Sequence, residues 1–252
     1  MKNFIANHPY WSAVILFIIN TLVAVPFVAL FKILGKDIEP LRLIIPIAQS
    51  VVMIGIIYKL GWLRVTGFGT RIKNIHLLWF PVVIAFIPVL LYGTVAIPAS
   101  GALFYTLAVL FTGISEEAEA RGLLLRILLP KGIWVALLGV GFLFSVGHFT
   151  NLIFEDFSVL DMAEVLIATF GFAILYGALF LRTLNIWPLI ILHALHDFIF
   201  VISGTAGPFA TQPLPTNVHI VMAIISGLFG AYLVRNITTS SVLAELESNQ
   251  SQ

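Results

Sequence analysis

Three carboxylates stand within four residues in the stretch GISEEAEARGLLLRILLP, directly after an apolar run that is typical of a membrane span. They are Glu116, Glu117 and Glu119, and Arg121 follows them. Because helix neighbours at i and i+4 share a face, Glu117 and Arg121 are predicted to pair. Glu116 points about 100° away from that face and lacks this partner. The two adjacent glutamates are therefore predicted to have different roles, one free to act and one paired.

Two further apolar segments carry ionisable side chains. His148 lies in one of them, and His193, His196 and Asp197 lie in the other. Such groups inside a span cost several kcal/mol unless they are paired or hydrated, so they indicate a functional site. A carboxylate and a histidine around one water are the components of a general-base hydrolase. A second histidine with a polar neighbour can stabilise the oxyanion that forms, and His193 and Asp197 share a helix face at i and i+4.

The composition predicts a membrane protein that positions these groups on helices. Hydrophobic residues make up 60% of the 252 residues and charged residues 10%, against about 25% in soluble domains. We therefore predict an all-α, polytopic membrane helix bundle of about eight transmembrane helices. The predicted spans are 11–34, 41–62, 76–98, 102–129, 133–150, 160–182, 186–203 and 217–234. Pro26, Pro81 and Pro88 are expected to kink their helices.

One domain is predicted over 1–236, with the motif-bearing core at 110–203. The polar tail, 237–252, is expected to protrude or fray. A net charge of +1 gives no electrostatic basis for binding nucleic acid, and the absence of cysteine excludes disulfides and thiolate chemistry.

The depths of the polar groups predict that they meet. A tight turn at 130–132 joins the fourth and fifth spans, and Glu116 and His148 both lie ~21–24 Å from it. His193 and Asp197 lie ~11–17 Å inside the seventh span. The three helices can thus bring these groups to one level, in a pocket that we expect water to enter from the cytoplasm.

Lys and Arg residues predict the orientation, because they are enriched on the cytoplasmic side. With eight spans both termini share a side. That side carries Lys2, Lys59, Arg64, Arg71, Lys73, Arg121, Arg126, Lys131, Arg182 and Arg235, and the other carries Lys32, Lys36 and Arg42. Both termini are therefore predicted to be cytoplasmic in a multi-pass integral membrane protein.

The polar residues, taken in order, resemble the motifs of the CAAX prenyl protease type II family, which includes bacteriocin-processing enzymes. The motifs are Glu-Glu-x-x-x-Arg at 116–121, Phe-x-x-x-His at 144–148, and His followed four residues later by Asn or Asp at 193–197. The resemblance covers roughly 110–203. It implies an intramembrane endopeptidase in which Glu116 and His148 activate water while His193 and Asp197 stabilise the oxyanion. Glu117, Arg121 and Phe144 would support the site.

The chain departs from the family pattern at three positions. Ala120 replaces a residue that is commonly aromatic, Glu119 adds a carboxylate, and residue 197 is Asp rather than Asn. An ionised Asp197 cannot donate to an oxyanion, so it must be protonated, orient His193 or bind a metal. The favoured interpretation requires no cofactor. The alternative is a divalent metal such as zinc, held by Glu116, His148 and His193.

The substrate that the resemblance implies is a peptide or a lipidated or membrane-associated protein. A prenylated protein, a bacteriocin leader and a signalling peptide all suit it. A different class stays open: a non-proteolytic immunity or scaffold protein, or a small-solute transporter, that retains the polar groups. His196 is predicted to be a packing or hydrogen-bonding neighbour. The acidic residues that flank the sixth span are predicted to be solvated; they are Glu155, Asp156, Asp161 and Glu164.

Overall fold

The computed structural model describes residues 1–154, 158–211 and 213–251, which form helices and loops without a strand. A short helix, Lys2–Asn7, precedes nine longer helices. These are α1 (Pro9–Ile33), α2 (Leu41–Lys59), α3 (Ile75–Tyr92), α4 (Ala99–Lys131), α5 (Ile133–Ile153), α6 (Val159–Thr183), α7 (Trp187–Ile202), α8 (Thr216–Val234) and α9 (Thr239–Ser251). The prediction of an all-α polytopic membrane bundle is confirmed.

Seven of these helices, α1 to α6 and α8, are long and apolar enough to cross a membrane by length and composition. Helix α7 is apolar but has only 16 residues, or ~24 Å, which is shorter than the ~30 Å core of a bilayer. The seventh span, predicted at 186–203, is a helix with nearly the predicted bounds. It must be embedded among its neighbours rather than reach both surfaces by itself.

Proline interrupts the regular hydrogen bonding of two spans. Helix α1 breaks at Val23, three residues before Pro26, and α3 breaks at Phe86, two residues before Pro88. A proline ring lacks an N–H and crowds the carbonyl four residues earlier, so the interruption falls on its N-terminal side. In α3 the change from 3₁₀ to α-helix likewise falls at Trp79, just before Pro81. A break or a change of winding thus precedes each of the three prolines, and the kinks themselves stay a prediction.

At each end of the bundle, segments that connect the helices are hydrogen-bonded to one another. At the end that carries the termini, the Lys73 N–H donates to the Thr183 carbonyl at 3.1 Å, and the Thr70 hydroxyl donates to the Leu184 carbonyl at 2.6 Å. We call this the terminal end. At the other, distal end, the Val95 N–H donates to the Ile202 carbonyl at 2.8 Å. These contacts fix which helix ends lie together.

The hydrophobic core lies in the half of the bundle nearer the terminal end. Leu123, Leu124 and Leu125 of α4 are fully buried there and belong to one cluster with Leu175 and Leu179 of α6. Fully buried side chains of this size each contribute about 1.5–3 kcal/mol in water, and in a bilayer their tight packing replaces that term. The core therefore anchors the C-terminal half of α4 directly beyond the three carboxylates.

The polar C-terminal tail differs from its expected state. Residues Thr239–Ser251 form helix α9, whose Val242 and Leu246 are buried in the main core cluster. Glu245 on the same helix accepts a hydrogen bond from the Lys73 ammonium. Two apolar residues spaced by four form a stripe on one face, and that stripe docks the helix rather than leaving it to protrude. The boundary at residue 236 stays a prediction.

The acidic residues around the start of α6 have different surroundings. Glu155 and Asp156 lie outside the described residues. Asp161 caps α6 in a reciprocal arrangement with Ser158 and is exposed, as predicted. The prediction that Glu164 is solvated is wrong, because its side chain is only 14% exposed and pairs with the His219 ring at 3.0 Å. One helical turn moves Glu164 from the helix start into the α6–α8 contact.

Candidate active site

The Glu-Glu-x-x-x-Arg motif lies where α4 changes its winding. The helix is α-helical over Ala99–Glu117 and π-helical over Ala118–Leu125, a rare geometry that is frequent at functional sites. The Arg121 guanidinium donates to Glu117 Oε1 at 3.0 Å, and both side chains are buried. The predicted pairing of these two residues is confirmed. Arg121 also donates to the Ala173 carbonyl at 3.2 Å.

His193 of α7 connects the carboxylates. Its Nδ1 lies 2.8 Å from Glu117 Oε1 and donates to it. Its Nε2 lies 3.5 Å from Glu116 Oε2 and 3.6 Å from Asp197 Oδ2. The predicted separation of roles has a geometric basis in which oxygen is bound, since Glu117 Oε1 accepts hydrogen bonds from both Arg121 and His193. Glu117 Oε2 and Glu116 Oε2 are both buried without a hydrogen-bond partner.

A glycine permits this approach of α7 to α4. A Cβ atom added to Gly113 would lie 2.9 Å from the Ile190 carbonyl oxygen and 3.5 Å from the Cβ of His193. Small residues let the backbones of membrane helices come close. Gly113 lies one turn before Glu116, so the close contact between the helices occurs beside the site.

The α-helical part of α5 spans Ile133–Gly147, and His148 is the residue that directly follows its last turn. Its Nδ1 lies 2.9 Å from the Phe144 carbonyl oxygen. A carbonyl only accepts, so Nδ1 carries a proton and donates it. In the neutral ring Nε2 is then an acceptor, as a group that takes a proton from water must be. Phe144 and His148 lie on the same face of α5, with ring centroids 5.0 Å apart.

These side chains line one cavity of about 450 Å³. Glu116, His148, His193 and Asp197 all contribute to its wall. The side chains of Glu116 and Asp197 are 29% and 37% exposed, whereas Glu117 is fully buried. Water can therefore contact Glu116 and Asp197 directly. The prediction that α4, α5 and α7 bring their polar groups together is confirmed.

The cavity extends toward the distal end, whereas the depths read from the sequence led us to expect that it opens at the end that carries the termini. Its lining includes Leu41, Arg42, Asn151, Phe154 and Gly207, all at distal helix ends or loops. The lining residues given by the structure include none from the terminal-end segments 60–74, 129–133 or 183–187. The sequence placed the groups at the right depth along each helix. It did not show that the leucines of the π-helical segment fill the space between the site and the terminal end.

Several residues of the cavity wall were not predicted as site residues. Asn20 of α1 donates from Nδ2 to Glu119 Oε2 at 2.6 Å, and both residues are buried. Tyr176 of α6 lies with its ring 5.8 Å from the ring of His193. A lone polar amide within the apolar first span was the signal for Asn20. Since it is not ionisable, the search for intramembrane charges passed over it.

His196 lies between two phenylalanine rings, with centroids 4.7 Å from Phe172 and 5.0 Å from Phe200. This agrees with its predicted role as a packing neighbour, although its ring also contributes to the cavity wall. Its Nε2 is buried without a hydrogen-bond partner.

The polar side chains of the cavity include histidines and carboxylates, which are the ligand types that zinc binds. Within the part of the chain that the structure describes, no group of three or more His, Asp or Glu side chains is arranged so that it could hold a metal ion. Glu116, His148 and His193 therefore do not form a preassembled zinc site, although they share a cavity.

The fold and the site define a class: a multi-pass membrane helix bundle with a polar, water-accessible cavity at its centre. Residues 97–199 match the model of a family described as Rce1-like, type II CAAX prenyl endopeptidases. The resemblance given by the three motifs is thereby confirmed, and the family indicates a membrane protease. The match covers less than half of the chain and includes all three motifs. No curated protein sequence matches the chain.

Proposed function

We propose that the protein is an intramembrane endopeptidase of the CAAX-protease type that hydrolyses a peptide bond with water activated by Glu116 and His148. The observation that carries this proposal is the arrangement around His193, whose Nδ1 donates to the buried Glu117 while its Nε2 faces the partly exposed Glu116 and Asp197. A network built only for stability would pair its buried acceptors, because each unpaired one costs about 1–3 kcal/mol, yet Glu116 Oε2 and Glu117 Oε2 both lack a hydrogen-bond partner.

The mechanism assigns one chemical task to each group. Glu116 takes a proton from the attacking water, and the free Nε2 of His148 orients that water by accepting its other hydrogen. The oxygen adds to the carbonyl carbon and the carbonyl electrons move onto the oxygen. In its doubly protonated form, His193 donates Nε2–H to this oxyanion. The oxyanion electrons then reform the carbonyl, the C–N bond breaks, and Glu116 delivers its proton to the nitrogen of the leaving amine.

Glu117 and Arg121 position His193 rather than react. The guanidinium and the His193 Nδ1–H both bind Glu117 Oε1. This arrangement fixes the ring so that Nε2 faces the cavity. Phe144 lies under Arg121, with the guanidinium carbon 5.2 Å from the ring centroid, and its carbonyl orients His148.

The decisive experiment is cleavage of candidate membrane-associated peptides by the purified protein, compared with Glu116→Gln. The glutamine fills the same space but cannot take the proton, so we expect a loss of ~10²–10⁴-fold in rate with a nearly unchanged melting temperature. Full activity in Glu116→Gln would exclude the mechanism. A wild type that cleaves none of the peptides would favour the scaffold or transporter alternative.

Asp197→Asn separates the metal-free mechanism from the zinc alternative. Asn keeps the shape of Asp and can donate a hydrogen bond, but it is a much poorer metal ligand. Without a metal, Asp197→Asn should keep substantial activity, and a chelator should affect neither protein. Chelator-sensitive cleavage by the wild type, together with an inactive variant that added zinc restores, would replace our mechanism with a metal-dependent one.

The side from which substrate enters is part of the proposal. The excess of Lys and Arg at the terminal end favours a cytoplasmic location for both termini. Since the cavity extends toward the distal end, we infer that the scissile segment enters from the side of the membrane opposite the termini.

A further inference from the structure

Asn20 and Glu119 form a second polar pair in the wall of the same cavity, one helical turn from Glu116. Asn20 is 5% exposed and Glu119 is 8% exposed. Asn20 Nδ2 donates a hydrogen bond to Glu119 Oε2 at 2.6 Å. This bond ties α1 to the motif helix and leaves the remaining oxygen of each side chain unused.

The unused atoms are all acceptors. Asn20 Oδ1 and Glu119 Oε1 are buried without a hydrogen-bond partner, as is Glu116 Oε2 on the same face of α4. Among the described residues no Lys, Arg or His forms an ion pair with Glu119. A buried carboxylate without a cation and with an unfilled acceptor is costly, and a ligand that supplies positive charge and N–H donors would satisfy both needs.

We propose that Asn20 and Glu119 form a specificity subsite that binds a cationic side chain, Lys or Arg, of the substrate peptide. This inference rests on the proposed protease function. Residues at i and i+3 of a helix lie about 5–6 Å apart at Cβ, and an extended peptide advances about 3.3 Å per residue. The cationic residue therefore lies within about two residues of the bond that Glu116 attacks.

The Gln49 side chain holds the subsite in place. Its Nε2 donates to the Asn20 backbone carbonyl at 3.1 Å, so α1 and α2 are joined beside the pair. A binding group that is fixed by its neighbours loses less entropy when the ligand arrives.

The experiment measures substrate preference with purified protein and matched peptides. Each cleaved peptide that carries Lys or Arg near the cleaved bond is compared with its norleucine or citrulline counterpart. A charge-assisted hydrogen bond corresponds to about 10- to 100-fold in kcat/KM. We expect the wild type to show this preference and Glu119→Gln to reduce the ratio to about one. Glu164→Gln, which alters the half-buried carboxylate beside His219, is the matched control and should retain the preference.

A binding measurement keeps the subsite testable without cleavage. Agmatine, a small guanidinium amine, should raise the melting temperature of the wild type and of Glu164→Gln in a concentration-dependent way, and should raise that of Glu119→Gln much less. An equal shift in all three proteins, or an unchanged peptide preference in Glu119→Gln, would show that the pair only joins α1 to α4 and would overturn the proposal. Absence of any cleavage, with agmatine binding that depends on Glu119, would contradict the protease function and retain the cationic site.

Discussion

The terminal and distal ends of the bundle satisfy their polar groups in different ways. At the terminal end, the Asn185 side chain donates to the Thr70 carbonyl at 2.6 Å, and Gly67 lies directly against the backbone of 185–186. Thr66, Thr183 and Asn185 are all buried there. At the distal end, the pairing loops surround the cavity rather than close it. A bundle can thus keep a rigid base, which fixes the helix ends, while leaving the opposite half open for a substrate.

The difference also separates stability from reactivity within one motif. Leu123 and Leu125 belong to the main core cluster, while Glu116, Glu119 and Arg121 line the cavity. Within about two helical turns, α4 thus changes from polar side chains at the cavity to apolar side chains in the core. Labelling and unfolding measurements on single-residue variants can test this division.

The first prediction concerns which end is open to which side of the membrane. The chain has no cysteine, so single cysteines can be labelled without background. We expect Asn151→Cys, in the distal cavity wall, to react with a membrane-impermeant maleimide only from the outer side of intact cells. Lys131→Cys, exposed at the terminal end, should react only in inside-out vesicles.

The outcome of this labelling distinguishes two errors. If the two labelling patterns are exchanged, the orientation in the membrane is the reverse of the predicted one, while the cavity still opens at the distal end. Reaction of both cysteines from one side would contradict the separation of the two ends itself.

The second prediction concerns the buried pair at the boundary between the halves. Glu117→Gln removes the charge that compensates Arg121, and breaking a buried pair costs about 3–5 kcal/mol. We expect the free energy of unfolding in mixed detergent micelles to fall by about that amount. Glu116→Gln, the matched control on the cavity side, should change it by less than about 1 kcal/mol. Equal losses in the two variants would show that the packed half does not begin at Glu117.

The third prediction compares two glycines with positive φ, one at each end. Gly67 has φ +83° and a Cβ there would lie 2.8 Å from backbone atoms of 185–186, whereas Gly35, with φ +58°, has open space. Alanine at either position costs about 1–2 kcal/mol of backbone strain. At Gly67 the clash with backbone adds about 1–3 kcal/mol.

Unfolding measurements on Gly67→Ala and Gly35→Ala should therefore differ, with the Gly67 variant less stable. Equal destabilisation would mean that the backbone around Gly67 moves to accommodate the added methyl group, and that the terminal end is no more rigid than the distal end.

The sequence by itself determined the class and much of the site. Scarce charge over long apolar runs leaves lipid as the main solvent, and a bilayer then requires helices. The i and i+4 spacing was enough to pair Glu117 with Arg121 and to place His193 beside Asp197, because these relations are local to one helix. The order of the three motifs indicated the family for the same local reason.

Only the tertiary structure decided which contacts form between helices. The sequence does not show that His193 bridges Glu117 and Glu116, that Asn20 approaches Glu119, or that the cavity extends distally. These contacts depend on how closely helices approach, which Gly113 sets between α4 and α7, and on the π-helical turn that shifts the residues after Glu117. The stripe of Val242 and Leu246 likewise became a docked helix only because a core surface was present to receive it.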